Sequence, residues 1–315
     1  MTGTAIDRSL LGPLERRGFD VRVKHPRSED DLARELRGAV AYLHGGEEKA
    51  TEKVLRSAGH SLKVIAFLGV GYENFVDVAT ARALGIVVTH TPGAATDSVA
   101  IFTVQQIMNA NTRNAAHLGG RHPAWRSAED LPRELSACEI GIVGLGAIGT
   151  RVAELLRAFG IKVSYFSRTR KPEIEAALGI SYLSLPELAA RSDVLVVMVP
   201  ESDETKGLID FGVLGRLRKG AILVNTARPA VVDPHDLHKS MKEAHVGAAV
   251  FDGFYDENSE IANILVGDFG DRLLVTGHIA SHTREAMGRM VSRAVASIED
   301  VLTGGAIDRS PGIRA

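Results

Sequence analysis

Gly144, Gly146 and Gly149 form a Gly-x-Gly-x-x-Gly pattern between an apolar, strand-like run and a segment with helical periodicity. The first glycine of such a pattern permits a tight turn. The second lets the backbone approach a pyrophosphate, and the third lets the helix pack closely on the strand. The N–H groups and the dipole of the following helix favour bound phosphate. The pattern predicts a dinucleotide-binding loop; a strand–helix turn without a ligand is the alternative.

A serine and two arginines stand where the second strand of a dinucleotide-binding domain commonly ends in an acid. Ser167 lies 18 residues after Gly149 and is followed by Arg168 and Arg170. An acid there would bind the ribose hydroxyls of NAD and repel the 2′-phosphate of NADP. Ser167 does not repel a phosphate, and guanidinium groups bind one through charge-assisted hydrogen bonds. These residues favour NADP(H), with NAD(H) possible and a solvated basic loop as the alternative.

Arg228 and His278 each follow an apolar, strand-like run. Ligands of α/β proteins bind at the carboxyl ends of strands, so both side chains are candidates for contact with a substrate. The planar fork of Arg228 matches a carboxylate and the adjacent carbonyl oxygen, and His278 can donate a proton near neutral pH. Glu257 would orient the His278 ring and favour its imidazolium form. Taken singly, each residue has a structural alternative. Arg228 could form a surface ion pair, Glu257 could be an acid at the start of a helix, and His278 could be a strand-end histidine with satisfied hydrogen bonds.

Four motifs in this order and spacing resemble the D-isomer-specific 2-hydroxyacid dehydrogenases: the glycine loop, VNTAR (224–228), FDGFYDE (251–257) and VTGHIASHT (275–283). The resemblance covers about residues 68–283. It implies hydride transfer between a nicotinamide cofactor and a small 2-oxo acid or D-2-hydroxy acid, of the glyoxylate/hydroxypyruvate reductase kind. It assigns the substrate clamp to Arg228, the proton donor to His278 and the support of that histidine to Glu257.

The resemblance also implies individual contacts. The backbone N–H groups of Val70 and Gly71 would bind the substrate carboxylate, and Asp252 would accept a hydrogen bond from the nicotinamide carboxamide. No metal site is expected. The residues expected to contact the cofactor are Gly144, Gly146, Ala147, Ile148, Gly149, Ser167, Arg168, Arg170, Val199, Pro200, Thr205, Thr226, Ala227, Arg228, Asp252 and His278.

Pro229, Gly277 and Asn258 depart from the family pattern. Pro229 removes a backbone donor and favours an extended conformation at Arg228. These departures leave the substrate and the catalytic rate open. Two other functions also stay open: an NAD-linked D-2-hydroxyacid dehydrogenase of the phosphoglycerate or lactate type, and a non-catalytic, dinucleotide-sensing corepressor.

The elements that would position these residues are apolar runs alternating with helical patterns. Runs this uniformly apolar predict parallel strands covered by helices on both faces. The sequence therefore predicts an α/β protein with two doubly wound parallel-sheet domains, and the resemblance implies a Rossmann domain inserted in a flavodoxin-like substrate domain. The predicted strands are 21–23, 39–43, 62–68, 86–90, 139–144, 162–167, 193–199, 221–227, 248–253 and 273–277.

Domain boundaries are expected near Pro92 and after His282. Pro92 and Gly93 interrupt the chain before a helical segment, and the segment after His282 is helical with no further strand. These signals predict a substrate domain of residues 1–94 and 284–315, and a dinucleotide-binding domain of residues 95–283. The resemblance implies a homodimer formed through the helix after Pro92.

The composition of the 315-residue chain is that of an ordinary globular protein, with 45% hydrophobic and 24% charged residues. A net charge of −2 gives no reason to expect nucleic acid or an anionic membrane as a partner. The chain has one cysteine, Cys138, just before an apolar run, where a buried and inert thiol is expected. One cysteine, no signal-like N-terminus and no long apolar run lead us to expect a cytoplasmic protein.

Overall fold

The chain forms two compact units in a computed structural model, which describes residues 1–3, 6–112 and 131–304. One unit comprises Met1–Ala95 and His282–Ala315, and the other comprises Thr96–Ser281. The strands, in chain order, are β1 (Ala41–His44), β2 (Val64–Phe67), β3 (Val87–Thr89), β4 (Glu139–Val143), β5 (Lys162–Phe166), β6 (Ser181–Tyr182), β7 (Val194–Val197), β8 (Ala221–Asn225), β9 (Val246–Asp252) and β10 (Leu273–Thr276).

Helices follow most of the strands. In chain order they are α1 (Gly12–Arg16), α2 (Glu29–Glu35), α3 (Glu52–Ala58), α4 (Val78–Ala83), α5 (Thr96–Thr112), α6 (Ala147–Ala158), α7 (Pro172–Leu178), α8 (Leu185–Arg191), α9 (Phe211–Leu214), α10 (Pro234–Lys242), α11 (Glu260–Phe269) and α12 (Arg284–Thr303). Short 3₁₀ turns lie at Arg8–Leu11, Gly59–Ser61, Tyr72–Asn74, Leu135–Ala137 and Pro229–Val231.

The first unit contains a parallel sheet of order β1-β2-β3 with helices on both faces. Successive residues of β2 point to opposite faces, as the pleat of a strand requires. Ile65 and Phe67 pack into a cluster with residues of α2, α3 and α4. Val64 and Ala66 pack into another with residues of α1 and α12. Both faces of this small sheet are therefore buried.

The second unit contains, within the described residues, a parallel seven-stranded sheet of order β10-β9-β8-β7-β4-β5-β6. The strand order reverses at β4, which pairs with β5 on one side and with β7 on the other. One face packs against α5 and α6, and the other against α8, α9, α10 and α11. Ligands of such sheets bind outside the carboxyl ends of the strands at the point of reversal. The loops after β4, β5 and β7 meet there.

Capping side chains begin several of the helices. The side chain of Asp233 accepts hydrogen bonds from His235 N and Asp236 N at the start of α10, and that of Thr51 accepts from Val54 N in α3. Each cap satisfies backbone donors that the helix leaves unpaired and stabilises its helix by about 1 kcal/mol. The caps thus fix where each loop ends and its helix begins.

The predicted fold class is confirmed, because the described strands form two parallel sheets covered by helices. The predicted strand at 21–23 is wrong. The backbone around it bonds to Met1, through Met1 N to Arg22 O and Lys24 N to Met1 O, which is too little pairing for a strand. The two-residue strand β6 was not predicted, because two residues carry no periodicity.

Cys138 is buried, as predicted, with 3% of its surface exposed. Its thiol donates to Glu134 O, and burial raises the pKa of the thiol. Both effects disfavour the reactive thiolate. Within the described residues, no helix is long and apolar enough to cross a bilayer.

Candidate active site

The glycine loop between β4 and α6 has the geometry that its sequence predicts. Gly144 has a φ of +102°, and a Cβ there would lie 2.7 Å from Val199 Cγ1. A Cβ on Gly149 would overlap the carbonyl oxygen of Gly144, whereas one on Gly146 would meet no described atom within 4 Å. Gly144 and Gly149 are therefore required by the turn itself. Gly146 leaves the backbone open to approach.

The first turn of α6 is suited to an anion. Gly146 is the N-cap residue, no side chain caps the helix, and no acidic residue lies in its first turn. The N–H groups of Ala147, Ile148 and Gly149 therefore keep the partial positive charge of a helix N-terminus. This donor set fits a dinucleotide pyrophosphate.

Ser167 and Arg168 lie directly after β5, beside the glycine loop. The Ser167 hydroxyl donates to Thr169 O at 2.6 Å, which shapes the loop. Arg168 is exposed, and its Nη1 donates to Glu204 Oε2 at 2.7 Å. Within the described chain no carboxylate takes the place of Ser167 at the end of β5.

Arg170 is held by a carboxylate of its own loop. Its Nε and Nη2 donate to the two oxygens of Glu175 at 2.9 and 2.8 Å. The Tyr165 hydroxyl also donates to Glu175, and it accepts from Lys171 N. The hydrogen bonds from Arg170 are the main reason that the pKa of Glu175 is lowered. Arg170 therefore orders this loop, and Arg168, which is bonded through one nitrogen, has more donors left for a phosphate.

The loop after β7 brings Val199, Pro200 and Thr205 to the same edge of the sheet. The Thr205 hydroxyl donates to Pro200 O at 2.6 Å and accepts from Ser202 N at 2.8 Å. Thr205 thereby closes a compact turn. Val199 packs against the glycine loop, within reach of a Cβ on Gly144.

Asn225 shapes the turn that presents Arg228. Its buried side chain accepts from Ala227 N at 3.0 Å and donates to Arg228 O at 2.8 Å. Thr226 is tied to α5, because its hydroxyl lies 2.7 Å from that of Thr103. Arg228 is extended, with φ −141° and ψ 135°, as predicted from the proline that follows it.

The structure brings Arg228 and His278 together. Arg228 Nη1 lies 3.5 Å from His278 Nε2 and donates to Ala227 O at 2.9 Å. On its other side the imidazole packs against Gly253, where a Cβ would lie 3.4 Å from His278 Nδ1. A guanidinium and an imidazole thus share the carboxyl edge of the sheet, as a carboxylate clamp and a proton donor require.

Asp252 holds the loop that carries His278. It is 2% exposed, and its Oδ1 accepts from the Thr276 hydroxyl at 2.7 Å and from Ile279 N at 2.8 Å. Its Oδ2 accepts from Ala280 N at 2.9 Å. His278 has a φ of +56°, a left-handed conformation that costs a non-glycine residue about 1–2 kcal/mol. The hydrogen bonds to Asp252 offset this cost. The predicted contact of Asp252 with the nicotinamide stays a prediction.

Three other predicted residues carry a binding group that no described hydrogen bond engages. The Glu257 carboxylate is exposed and forms no hydrogen bond or ion pair with a described residue, so its support of His278 stays a prediction. Val70 and Gly71 belong to the first unit and follow β2. Their N–H groups donate to no described residue, which leaves both available.

A match to a protein-family model identifies the class of protein. The NAD binding domain of the D-isomer specific 2-hydroxyacid dehydrogenases matches residues 100–280, more than half of the chain. The chain belongs to the D-isomer specific 2-hydroxyacid dehydrogenase family, whose members are NAD(P)-dependent oxidoreductases. The predicted resemblance is confirmed.

Individual relatives agree with this assignment. A glyoxylate reductase from Aeropyrum pernix is 39% identical over 252 residues, which cover 78% of this chain and 74% of the relative. The TT0316 protein from Thermus thermophilus is 31% identical, with a TM-score of 0.85 and coverage of 100% and 99%. A D-lactate dehydrogenase from Aquifex aeolicus, solved with NAD and lactic acid, is 25% identical, with a TM-score of 0.84 and coverage of 99% and 98%. The cofactor is therefore a nicotinamide dinucleotide.

Several residues that build the site were not singled out from the sequence. Asn225 had a recognisable signal, since an Asn just after a strand commonly bonds to the backbone two residues on. Gly253 and Thr276 lie within the family motifs, but their contacts with His278 and Asp252 are visible only in three dimensions. Glu204 gave no signal, because its partner Arg168 is 36 residues away.

We predict opposite effects for two alanine substitutions in the glycine loop. Gly149→Ala should lower the free energy of unfolding by about 1–3 kcal/mol, because its Cβ overlaps Gly144 O. Gly146→Ala should leave stability unchanged but weaken dinucleotide binding, because its Cβ would occupy the open approach to the backbone. Urea denaturation and titration with dinucleotide test both. Equal stability of the two variants would contradict the assignment.

We predict that Asp252→Asn lowers both stability and turnover. Ile279 N and Ala280 N bond to different oxygens of Asp252, and an amide has only one acceptor oxygen. One of these donors would therefore face an NH₂ group, so the free energy of unfolding should fall by about 1–3 kcal/mol. Turnover should fall because His278 is no longer held beside Arg228. Thr276→Val removes one neutral donor and is the matched control, with an expected loss of about 1 kcal/mol. A variant as stable and as active as wild type would refute the role of Asp252.

Proposed function

We propose that this protein is an NADPH-linked reductase of a small 2-oxo acid, of the glyoxylate or hydroxypyruvate kind, that forms the D-2-hydroxy acid. The observation that carries the proposal is the 3.5 Å separation of Arg228 Nη1 and His278 Nε2 at the carboxyl edge of the second sheet. The likeness to a glyoxylate reductase at 39% identity supports this class of substrate.

In the proposed reaction a bound nicotinamide supplies the hydride. Residues of the chain bind the substrate, polarise its carbonyl group and donate the proton. Arg228 holds the substrate carboxylate and polarises the adjacent carbonyl. The His278 imidazolium gives its proton to the carbonyl oxygen as that oxygen gains negative charge. Glu257 supports the imidazolium, and Val70 and Gly71 N–H groups bind the carboxylate. In this arrangement the negative charge of the substrate carboxylate stays bound to Arg228 and to backbone N–H groups during the reaction.

The preference for NADPH rests on the end of β5. Ser167 stands where an acid would repel a 2′-phosphate, and exposed Arg168 keeps Nε and Nη2 for additional hydrogen bonds. Cells generally keep NADP reduced, which favours reduction as the direction.

We also propose a cytoplasmic homodimer assembled through α5. Ile101 of this helix is a large apolar residue with 56% of its surface exposed.

The direct test is a substrate panel. Consumption of NADPH and NADH is followed by absorbance with glyoxylate, hydroxypyruvate and pyruvate. We expect the highest kcat/KM with NADPH and one of the first two acids. Equal use of NADH would refute the cofactor preference and favour an NAD-linked dehydrogenase. Binding of NADPH without turnover of any acid would favour the non-catalytic, dinucleotide-sensing alternative.

The two arginines after β5 should differ in their effect on the cofactor. Arg168→Ala should raise the KM for NADPH by about tenfold or more, since a charge-assisted hydrogen bond is worth about 1.5–3 kcal/mol. Arg170→Ala should raise it less, because Glu175 already binds the Nε and Nη2 groups of Arg170. The KM for NADH should change little in either variant. An unchanged KM for NADPH in Arg168→Ala would refute the role of Arg168.

A further inference from the structure

The ion pair between Arg168 and Glu204 joins loops on either side of the glycine loop. Arg168 follows β5 and Glu204 lies in the loop after β7, while β4 runs between those two strands. Strands two apart in a sheet are separated by about 10 Å. The 2.7 Å hydrogen bond between the two side chains therefore links loops that lie on either side of β4.

This pair places a carboxylate on the group that we assign to the 2′-phosphate. Carboxylate and phosphate both bind guanidinium, so a 2′-phosphate cannot use the Nη1 group of Arg168 while Glu204 holds it. Two anions beside one cation also repel each other. A ribose with a free 2′-hydroxyl brings neither the competition nor the repulsion.

We propose that Glu204 is a specificity-determining residue of the dinucleotide site. It competes with the 2′-phosphate for Arg168 and so weakens the binding of 2′-phosphorylated dinucleotides, while NAD(H) binds unaffected. This inference rests on the proposed function, because it takes Arg168 to be the residue that binds the phosphate.

Glu204 suits a competitor that a ligand can displace. Its carboxylate is 69% exposed and accepts from no other side chain in the described parts of the chain. Glu175 differs: it is 12% exposed and bonded to both Arg170 and Tyr165, so a ligand would not displace it. Exposed ion pairs are weak, so Glu204 should reduce the affinity for a 2′-phosphate without abolishing it.

The experiment measures the affinity of fragments that carry only the adenosine end of the cofactor. Adenosine 2′,5′-bisphosphate and 5′-AMP are titrated by calorimetry into wild type and Glu204→Gln. Glutamine keeps the size of the side chain and removes its charge. We expect the Kd for the bisphosphate to fall about two- to fivefold and the Kd for 5′-AMP to stay the same. Asp203→Asn is the matched control, since Asp203 is in the same loop and forms no ion pair with a described residue; neither Kd should change.

A double-mutant cycle tests whether the effect acts through Arg168. In the Arg168→Ala background, Glu204→Gln should improve bisphosphate binding by much less than in wild type. An equal improvement there, an equal shift for both ligands, or no gain in Glu204→Gln would overturn the inference.

Failure of the inference and failure of the proposed cofactor preference give different results. If wild type favours the bisphosphate and loses this preference in Arg168→Ala, while Glu204→Gln has no effect, only the role of Glu204 is overturned. If wild type shows no preference and Arg168→Ala changes nothing, the proposed NADPH preference fails and the inference fails with it.

Discussion

The parallel direction of the strands in the second unit is the constraint on which the site depends. Since every described strand of that sheet runs the same way, every strand ends at one edge. Residues far apart in sequence are thereby gathered at this edge: the glycine loop after β4, Ser167 after β5, Arg228 after β8 and His278 after β10. Because the strand order reverses at β4, the loops on either side of it diverge and leave a crevice for a ligand at this edge. The hydrogen bonds of the sheet are enough to bring these residues to the same edge.

Within that frame, a few buried polar side chains set the conformation of each loop. Asn225 bonds to both ends of the turn before Arg228, and Asp252 accepts bonds from the segment around His278. Both are almost fully buried, where an unpaired polar group would cost about 1–3 kcal/mol. The observed conformation of these loops satisfies both groups, and in it Arg228 and His278 are neighbours. His278 is exposed and Arg228 is half-buried, whereas Asn225 and Asp252, which position them, are buried.

The sequence predicted the strands, the fold class and the glycine loop well, because each depends on local pattern. Apolar runs and glycine spacing are properties of adjacent residues. The position of Arg228 and His278 at this edge of the sheet could also be predicted, since each follows a strand within a recognisable motif. Contacts made across the fold could not be predicted. The Arg170–Glu175 pair and the Arg168–Glu204 pair give the two arginines of one loop different roles. The local sequence, Arg-Thr-Arg at 168–170, does not show which arginine has which role. The strand predicted at 21–23 was wrong for the same reason, because its β-branched residues lack a partner ladder.

The first unit is discontinuous in the chain, and this has a consequence for how the protein is made. Helix α12 covers one face of the small sheet, where Val291, Ala294 and Val295 pack with Val64 and Ala66. A ribosome synthesises the whole second unit before it reaches that helix. Domains fold as units during synthesis, yet the first unit stays incomplete until α12 has been synthesised. The second unit is therefore the first that can finish folding, and until then β2 lacks the cover that α12 gives to Val64 and Ala66. A chaperone that shields this face until α12 emerges would act on the strands of the first unit.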